Sequence, residues 1–374
     1  MANVIARRST NASKLERWLG VDQVEQISGS MRDWHGKRPI LINGVHGAGG
    51  VWCGRGGDFV GKIDGGDFMS LTERCVERVN HAIGKVAKRH RMHGFSSLSD
   101  LINEVSNFGK RKDFSFQKTG SGSVAGASTS LWRVGAYPPA GNAAAAAPGG
   151  AALTDATQGA FFFVNPSSPD TQHFVRADVL CSVAPRTLLL YDRLFEVNKT
   201  MSSTATEAVT GVPTRYQNTA DDQPDSCDGN FLIVEVQAAL GNTAHNWTVC
   251  TYTDHNGNAA TLPSLTGNAT ATINRLDHPL NQWFAPLATG DNGIKALTQM
   301  QCSASVTGTV AFVIGHPIAF MPCVVANMLT IVDGINTAFN LTRIFDDACL
   351  AFLDVSHPAT SAPSFTGMFA TASG

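Results

Sequence analysis

Apolar residues recur along this chain in two rhythms. Between residues 70 and 93 they fall at three- and four-residue spacing. Leu71, Cys75, Val79, Ile83 and Val86 line one stripe, which is the period of an amphipathic helix. Ser70-Leu71-Thr72-Glu73 opens that stripe with a capping-box pattern, in which hydroxyl and carboxylate satisfy backbone N–H groups reciprocally. A second helix is expected over about 97–108, stopped by Gly109.

From residue 155 the rhythm shortens. GAFFFVNPSSPD, RTLLLYDRLFEV, NFLIVEVQAAL, NWTVCTYTDHNGNAATL and TGTVAFVIGHP are rich in β-branched and aromatic residues and are separated by turns. Asn256-Gly257 and Asn292-Gly293 are strong turn signals, because these residues tolerate positive φ. The pattern predicts a mainly β protein: an antiparallel β-sandwich of jelly-roll type over 155–322. Before it the expected order is an N-terminal arm (1–43) and a mixed α+β region (44–125) with a glycine-rich hairpin and the two helices. A Gly/Ala/Pro-rich linker (126–154) then leads to the sandwich. After it comes a C-terminal extension (323–374). This holds a helix near 324–339, a strand over RIFDDACLAFLDV and an extended Ser/Thr/Pro-rich arm.

Residues 296–332 carry no charge. His316, Pro317, Pro322 and Asn327 weigh against a membrane helix there. The expected reading is two buried strands, 309–315 and 318–321, broken at Gly315-His316-Pro317. The N-terminal MANVIARRSTNASKLERWLG has no apolar core of a signal peptide. The expectation is synthesis and assembly in a host cytoplasm, without secretion and without a membrane partner. Eight cysteines stand singly along 374 residues with no C-x-x-C, which in a cytosolic chain reads as buried small hydrophobes.

Only 16% of residues are charged, against about a quarter in an average protein. The charge is unevenly spread: residues 1–120 hold 19 Lys+Arg and 12 Asp+Glu, the rest 9 and 18. A basic N-terminal region joined to an acidic β region suits an oriented assembly. Lys85, Lys88, Arg89 and Arg91, with Lys110, Arg111 and Lys112, are the candidate phosphate or partner contacts. They lack the interleaved aromatics of a sequence reader, so nucleic-acid contact through them would be non-specific.

Candidate chemistry is sparse. Gly56 to Lys62 reads G-x-x-x-x-G-K, but Ile63 follows where a Mg²⁺-ligating hydroxyl belongs. Cys53 with His46 and Asp58 makes a nucleophile, base and orienter, all within one glycine-rich loop. Asp221, Asp222, Asp225 and Asp228 form an acidic loop of the kind that holds Ca²⁺, but aligning it to the EF-hand puts Pro224 at the first ligand position. His90 and His93 end a basic helix whose charges repel a metal. No cofactor is expected, and the chain is not expected to be an enzyme.

WFAPLATGDNGIKAL (Trp283–Leu297), followed by TGTVAFVIGHP (Thr307–Pro317), resembles the PL-x-x-GD-x-G…TGT pattern of β-rich virion structural proteins of tailed bacteriophages. The resemblance implies a turn at Gly290-Asp291-Asn292-Gly293 and a buried final strand at Val310–Ile314. It brings no catalytic residues. The function it implies is a structural virion subunit, whether capsid-associated, decoration or neck. Such a subunit is expected to form a homo-oligomer, trimer or larger, and to touch other virion proteins. The rival readings are a receptor- or carbohydrate-binding β-sandwich module displayed on a particle, and an enzyme using Cys53 and His46.

Overall fold

The structure is a computed structural model. It describes residues 95, 97–107, 109–120, 124–220, 223–335, 341–355 and 361–374, with the backbone of 40–41 and 52–53. The chain divides into two compact units, Met1–Arg91 and Met92–Gly374. In the first, Ile40–Leu41 pairs antiparallel with Trp52–Cys53. The helix expected from the 70–93 stripe lies outside the described residues, as does the N-terminal arm apart from Ile40–Leu41.

The second unit is mainly β and antiparallel. One helix occurs among the described residues, α1 (Leu98–Ser106), and its N-cap Ser97 side chain accepts the Asp100 N–H at 3.0 Å. Eleven strands of three or more residues follow among the described residues. They are β1 (Arg111–Thr119), β2 (Gln172–Cys181), β3 (Arg186–Thr200), β4 (Phe231–Ala238), β5 (Asn246–Asp254), β6 (Ala259–Thr261), β7 (Ile294–Cys302), β8 (Thr309–Cys323), β9 (Thr330–Asp333), β10 (Leu350–Val355) and β11 (Ser364–Ser373).

The central sheet runs β4-β8-β3-β10 and ends on the short strand Thr129–Ser130. It closes on itself. Residues 274–277 bond to β4 on one side, through Val236 N–H to Arg275 O (2.9 Å) and Asp277 N–H to Val234 O (2.7 Å). On the other side they bond to the short strand, through Ser130 N–H to Asn274 O (2.8 Å) and Leu276 N–H to Ser128 O (3.0 Å). The result is a small barrel with no free edge at this point. Side chains alternate around it except at bulges, among them Leu194 and Ile318. Leu189, Tyr191, Ile233, Val313, Ala351 and Leu353 fill the interior together with Trp132 and Leu276.

Two further sheets cover the outside. The β6-β5-β7 sheet packs Trp247, Tyr252, Leu297 and Met300 against Val234, Val236, Phe312 and Ile314. The β9-β2-β11-β1 sheet packs Phe174, Val179, Phe365, Phe369 and Phe116 against Leu188, Leu190, Met321 and Phe352. A barrel flanked by two sheets thus stands where the strand spacing predicts a two-sheet sandwich. Short-range pattern records which residues face inward, but not which strand closes against which.

Several boundaries differ from expectation for identifiable reasons. β8 is one continuous strand through Gly315-His316-Pro317, not two. β4 pairs with it only as far as Gly315, opposite Phe231, whereas β3 pairs on to Cys323. Beyond Gly315 one side of β8 is free of a ladder, and there Pro317 and Pro322 forfeit no hydrogen bond. A bulge at Ile318 absorbs the irregularity. The helix expected near 324–339 is instead an exposed loop, Val324–Leu329, followed by β9. Asp347, at φ +58°, separates Arg343–Ile344 from β10 where one strand is expected. The Ser/Thr/Pro-rich end is no arm: β11 lies between β2 and β1. Residues 126–154 bury Trp132, Ala144 and Leu153 against the barrel.

Candidate functional site

Strand periodicity puts alternate residues of the β9-β2-β11-β1 sheet toward solvent, and several of these are apolar. Ile331 (45% exposed), Leu180 (38%), Met368 (38%) and Tyr137 (59%) stand on that face. Register aligns them in two rows. Ile331 lies opposite Asp178, Asp178 opposite Met368, and Met368 opposite Ser115. In the next row Leu180 faces Thr366, Thr366 faces Gln117, and Gln117 faces Tyr137. A shallow groove of about 650 Å³ runs between them and is bordered by Leu329. Val324, Val325 and Met328 of the adjoining loop are also exposed. Contiguous apolar surface of this kind marks interfaces.

A second surface feature is aromatic. Trp283 sits with ring centroids 4.8 Å from Phe284 and 5.8 Å from Phe320, and both phenylalanines are exposed. Trp283 also packs edge-on against Phe231 at 5.0 Å, which anchors it to the barrel.

Asp254, His255 and Asp291 bring donor atoms within 4.8 Å of one another. Asp254 closes the β5–β6 turn: its Oδ1 accepts the N–H groups of Asn256 (2.8 Å) and Asn258 (2.7 Å). Although burial opposes it, these amides hold the Asp254 carboxyl below its ordinary value. Asn292 N–H donates to His255 Nδ1 at 3.2 Å, and His255 Nε2 lies 3.0 Å from Asn256 Nδ2. Tyr252 Oη donates to Asp291 Oδ2 at 2.5 Å. Burial, and then that carboxylate, raise the tyrosine's pKa. Asp254 Oδ1, His255 Nδ1 and Asp291 Oδ2 thus take up loop amides and a hydroxyl, and the trio ties two loops together. Both turns of that constellation were legible as Asn-Gly signals, but their convergence was not.

The structure distributes the sequence-derived candidates widely. Lys110 Nζ is ion-paired to Asp170 (2.7 Å) and Glu104 (3.3 Å), and Arg111 to Asp113 (2.8 Å). Lys112 Nζ donates to Gly109 O at 3.1 Å. Lys85, Lys88, Arg89 and Arg91 lie outside the described residues, as do Asp221, Asp222, His46 and Asp58. Asp225 bonds to Asn218, through its Oδ1 and its carbonyl. Asp228 Oδ1 is buried without a hydrogen-bond partner. Gly290 takes φ +97° in the expected turn, and Val310–Ile314 is buried within β8.

No protein-family model matches the sequence, and no curated protein does. Among solved structures, the infectious bursal disease virus VP2 subviral particle is similar at 10% identity over 70% of this chain and 80% of that one, with a TM-score of 0.14. Likeness at that level establishes neither shared fold nor shared function. No helix among the described residues is long and apolar enough to cross a membrane.

Proposed function

We propose that this chain is a structural subunit of a virion, of bacteriophage type, that assembles with copies of itself through the outer face of the β9-β2-β11-β1 sheet. The observation that carries this reading is the double row of Ile331, Leu180, Met368 and Tyr137, interleaved with Asp178, Thr366, Ser115 and Gln117. A sheet surface that alternates apolar and polar positions suits lateral packing against a like surface. The bacteriophage assignment rests on the 283–317 resemblance. Light scattering across a concentration series tests the reading. Self-association that disappears when Ile331 and Met368 are both replaced by Asp supports it; a monomer at every concentration sinks it.

A second reading is favoured by one observation, the exposed aromatic group Trp283, Phe284 and Phe320. Adjacent ring faces stack on the apolar faces of sugars, which makes this the surface of a carbohydrate- or receptor-binding module. Glycan-array binding lost on Phe320→Ala would favour it over the assembly reading.

A further inference from the structure

Cys181 ends β2 and Cys323 ends β8, so the two belong to different sheets. They meet where the outer sheet and the barrel are stitched together by two chain crossings, Ser182–Pro185 into β3 and the Val324–Leu329 loop into β9. Both side chains are fully buried in the core between those sheets. The two thiols are hydrogen-bonded to each other. The Cys181 thiol also donates to Val183 O at 2.9 Å. Arg186 sits opposite Cys323 in the ladder and bonds to Asp354 at 2.5 Å. Asn327 N–H, from an exposed loop, donates to Cys181 O at 2.8 Å.

We propose that Cys181 and Cys323 are a dithiol that a hydroperoxide oxidises to a disulfide, locking the outer sheet to the barrel. The attacking sulfur is Cys181. The hydrogen bond from Cys323 stabilises its thiolate, the nearby Arg186 charge does so too, and together they outweigh burial to lower its pKa. Cys323 correspondingly holds its proton more tightly. In the first step the Cys181 thiolate attacks one peroxide oxygen and the O–O bond breaks. Cys181 becomes a sulfenic acid, and hydroxide leaves to be protonated to water. In the second, Cys323 gives its proton to solvent and its sulfur attacks the Cys181 sulfur. The S–O bond breaks and hydroxide leaves as a second water. Two thiols and one peroxide thus yield one disulfide and two waters. Access comes from local opening of the Val324–Leu329 loop, which a small oxidant can exploit. The inference stands whether or not the assembly reading holds. On that reading the lock would set once a particle left a reducing compartment.

The test uses the full chain, folded, treated with hydrogen peroxide, then denatured, alkylated and mapped by peptide mass spectrometry. The expected result is a peptide pair linked through Cys181 and Cys323, about 2 Da lighter than the two thiols. Cys227, Cys250, Cys302 and Cys349 should be recovered as alkylated thiols. The thermal midpoint should rise by about 5 °C or more on oxidation and fall back on reduction. In Cys323→Ala, Cys181 should be trapped as the sulfenic acid by dimedone; this readout is needed only if that variant folds, since the mapping is done on the unaltered chain. Recovery of both thiols unlinked, over-oxidation of Cys181 without a link, or a link between Cys250 and Cys302 instead would overturn the proposal.

Discussion

The Arg193 guanidinium donates twice to Glu196 Oε2, at 2.9 and 2.7 Å, inside the closed barrel. Its remaining donors reach Glu235 Oε2 at 2.9 Å and Tyr191 Oη at 3.1 Å. The Trp132 ring lies under it, 5.0 Å away. A bulge at Leu194 makes this arrangement feasible, because it lets Arg193 and Glu196 both point inward while Leu194, Phe195 and Val197 face the outer sheet. Burial lowers the arginine's proton affinity, but the surrounding carboxylates reverse that and raise it.

Replacing Arg193 with Met should therefore be severe. Two carboxylates would remain buried without a counter-charge, at a cost of about 3–5 kcal/mol. Changing Glu196 and Glu235 to Gln in the same background should recover part of that loss. Urea denaturation midpoints of the unaltered chain and the two variants check the order.

Two buried histidines should withdraw stability between pH 6.5 and about 4. His278 Nε2 accepts the Val234 N–H at 2.8 Å and so carries no proton. His316 stacks on Tyr216 at 3.8 Å between centroids, with Nδ1 2.9 Å from Asn230 Oδ1. Burial pushes both down to about 4. A depressed folded-state value means the stabilisation is present above the ordinary 6.5 and is lost as pH falls toward the folded value. Each contributes about 3 kcal/mol by that argument. His245 acts the other way. Burial lowers it, but Asp277 at 2.9 Å more than offsets this and raises it. Its contribution is present below 6.5 and lost as pH rises through its folded value. Asp354, which burial pushes up to about 7, also gains stability as pH falls, so the histidine contribution is read by difference: His278→Gln should lose less thermal midpoint from pH 7 to 4 than the unaltered chain does. Identical profiles for the two would refute the account.

Gly293 leaves no room for a side chain. A Cβ there would meet Cys227 O at 2.1 Å and Asp228 Cα at 3.0 Å. Both are backbone atoms, so the two loops would have to part. Gly293→Ala should cost about 2–3 kcal/mol. Gly135 has nothing within 4 Å of that position, and Gly135→Ala should change stability by no more than about 0.5 kcal/mol. Parallel calorimetry of the two variants makes the comparison.

Ile331→Asp with Met368→Asp should leave folding intact, since both side chains are already partly in water. The expected change is in particle size alone. Loss of the thermal midpoint together with the size would assign these residues to the core instead.

Millimolar Ca²⁺ or Zn²⁺ should leave the thermal midpoint unmoved. Asp254 Oδ1 and His255 Nδ1 already accept loop amides, and a metal would have to displace them. A midpoint raised by either ion and lowered by a chelator would contradict this.

Runs of β-branched and aromatic residues separated by turn residues by themselves determined that the chain past residue 155 is strands and turns. The helix over about 97–108 and the turns at Asn256-Gly257 and Gly290-Gly293 were legible too, because their signals are local. Tertiary structure alone decided the rest. Residues 274–277 closing the barrel, β11 entering between β2 and β1, and the meeting of Cys181 with Cys323 all join residues far apart in the chain. Pro317 reads as a break until the partner strand is seen to end opposite Gly315. Hydrogen-bond partners of a strand are set by register between distant segments, and that information is not carried in any short window of sequence.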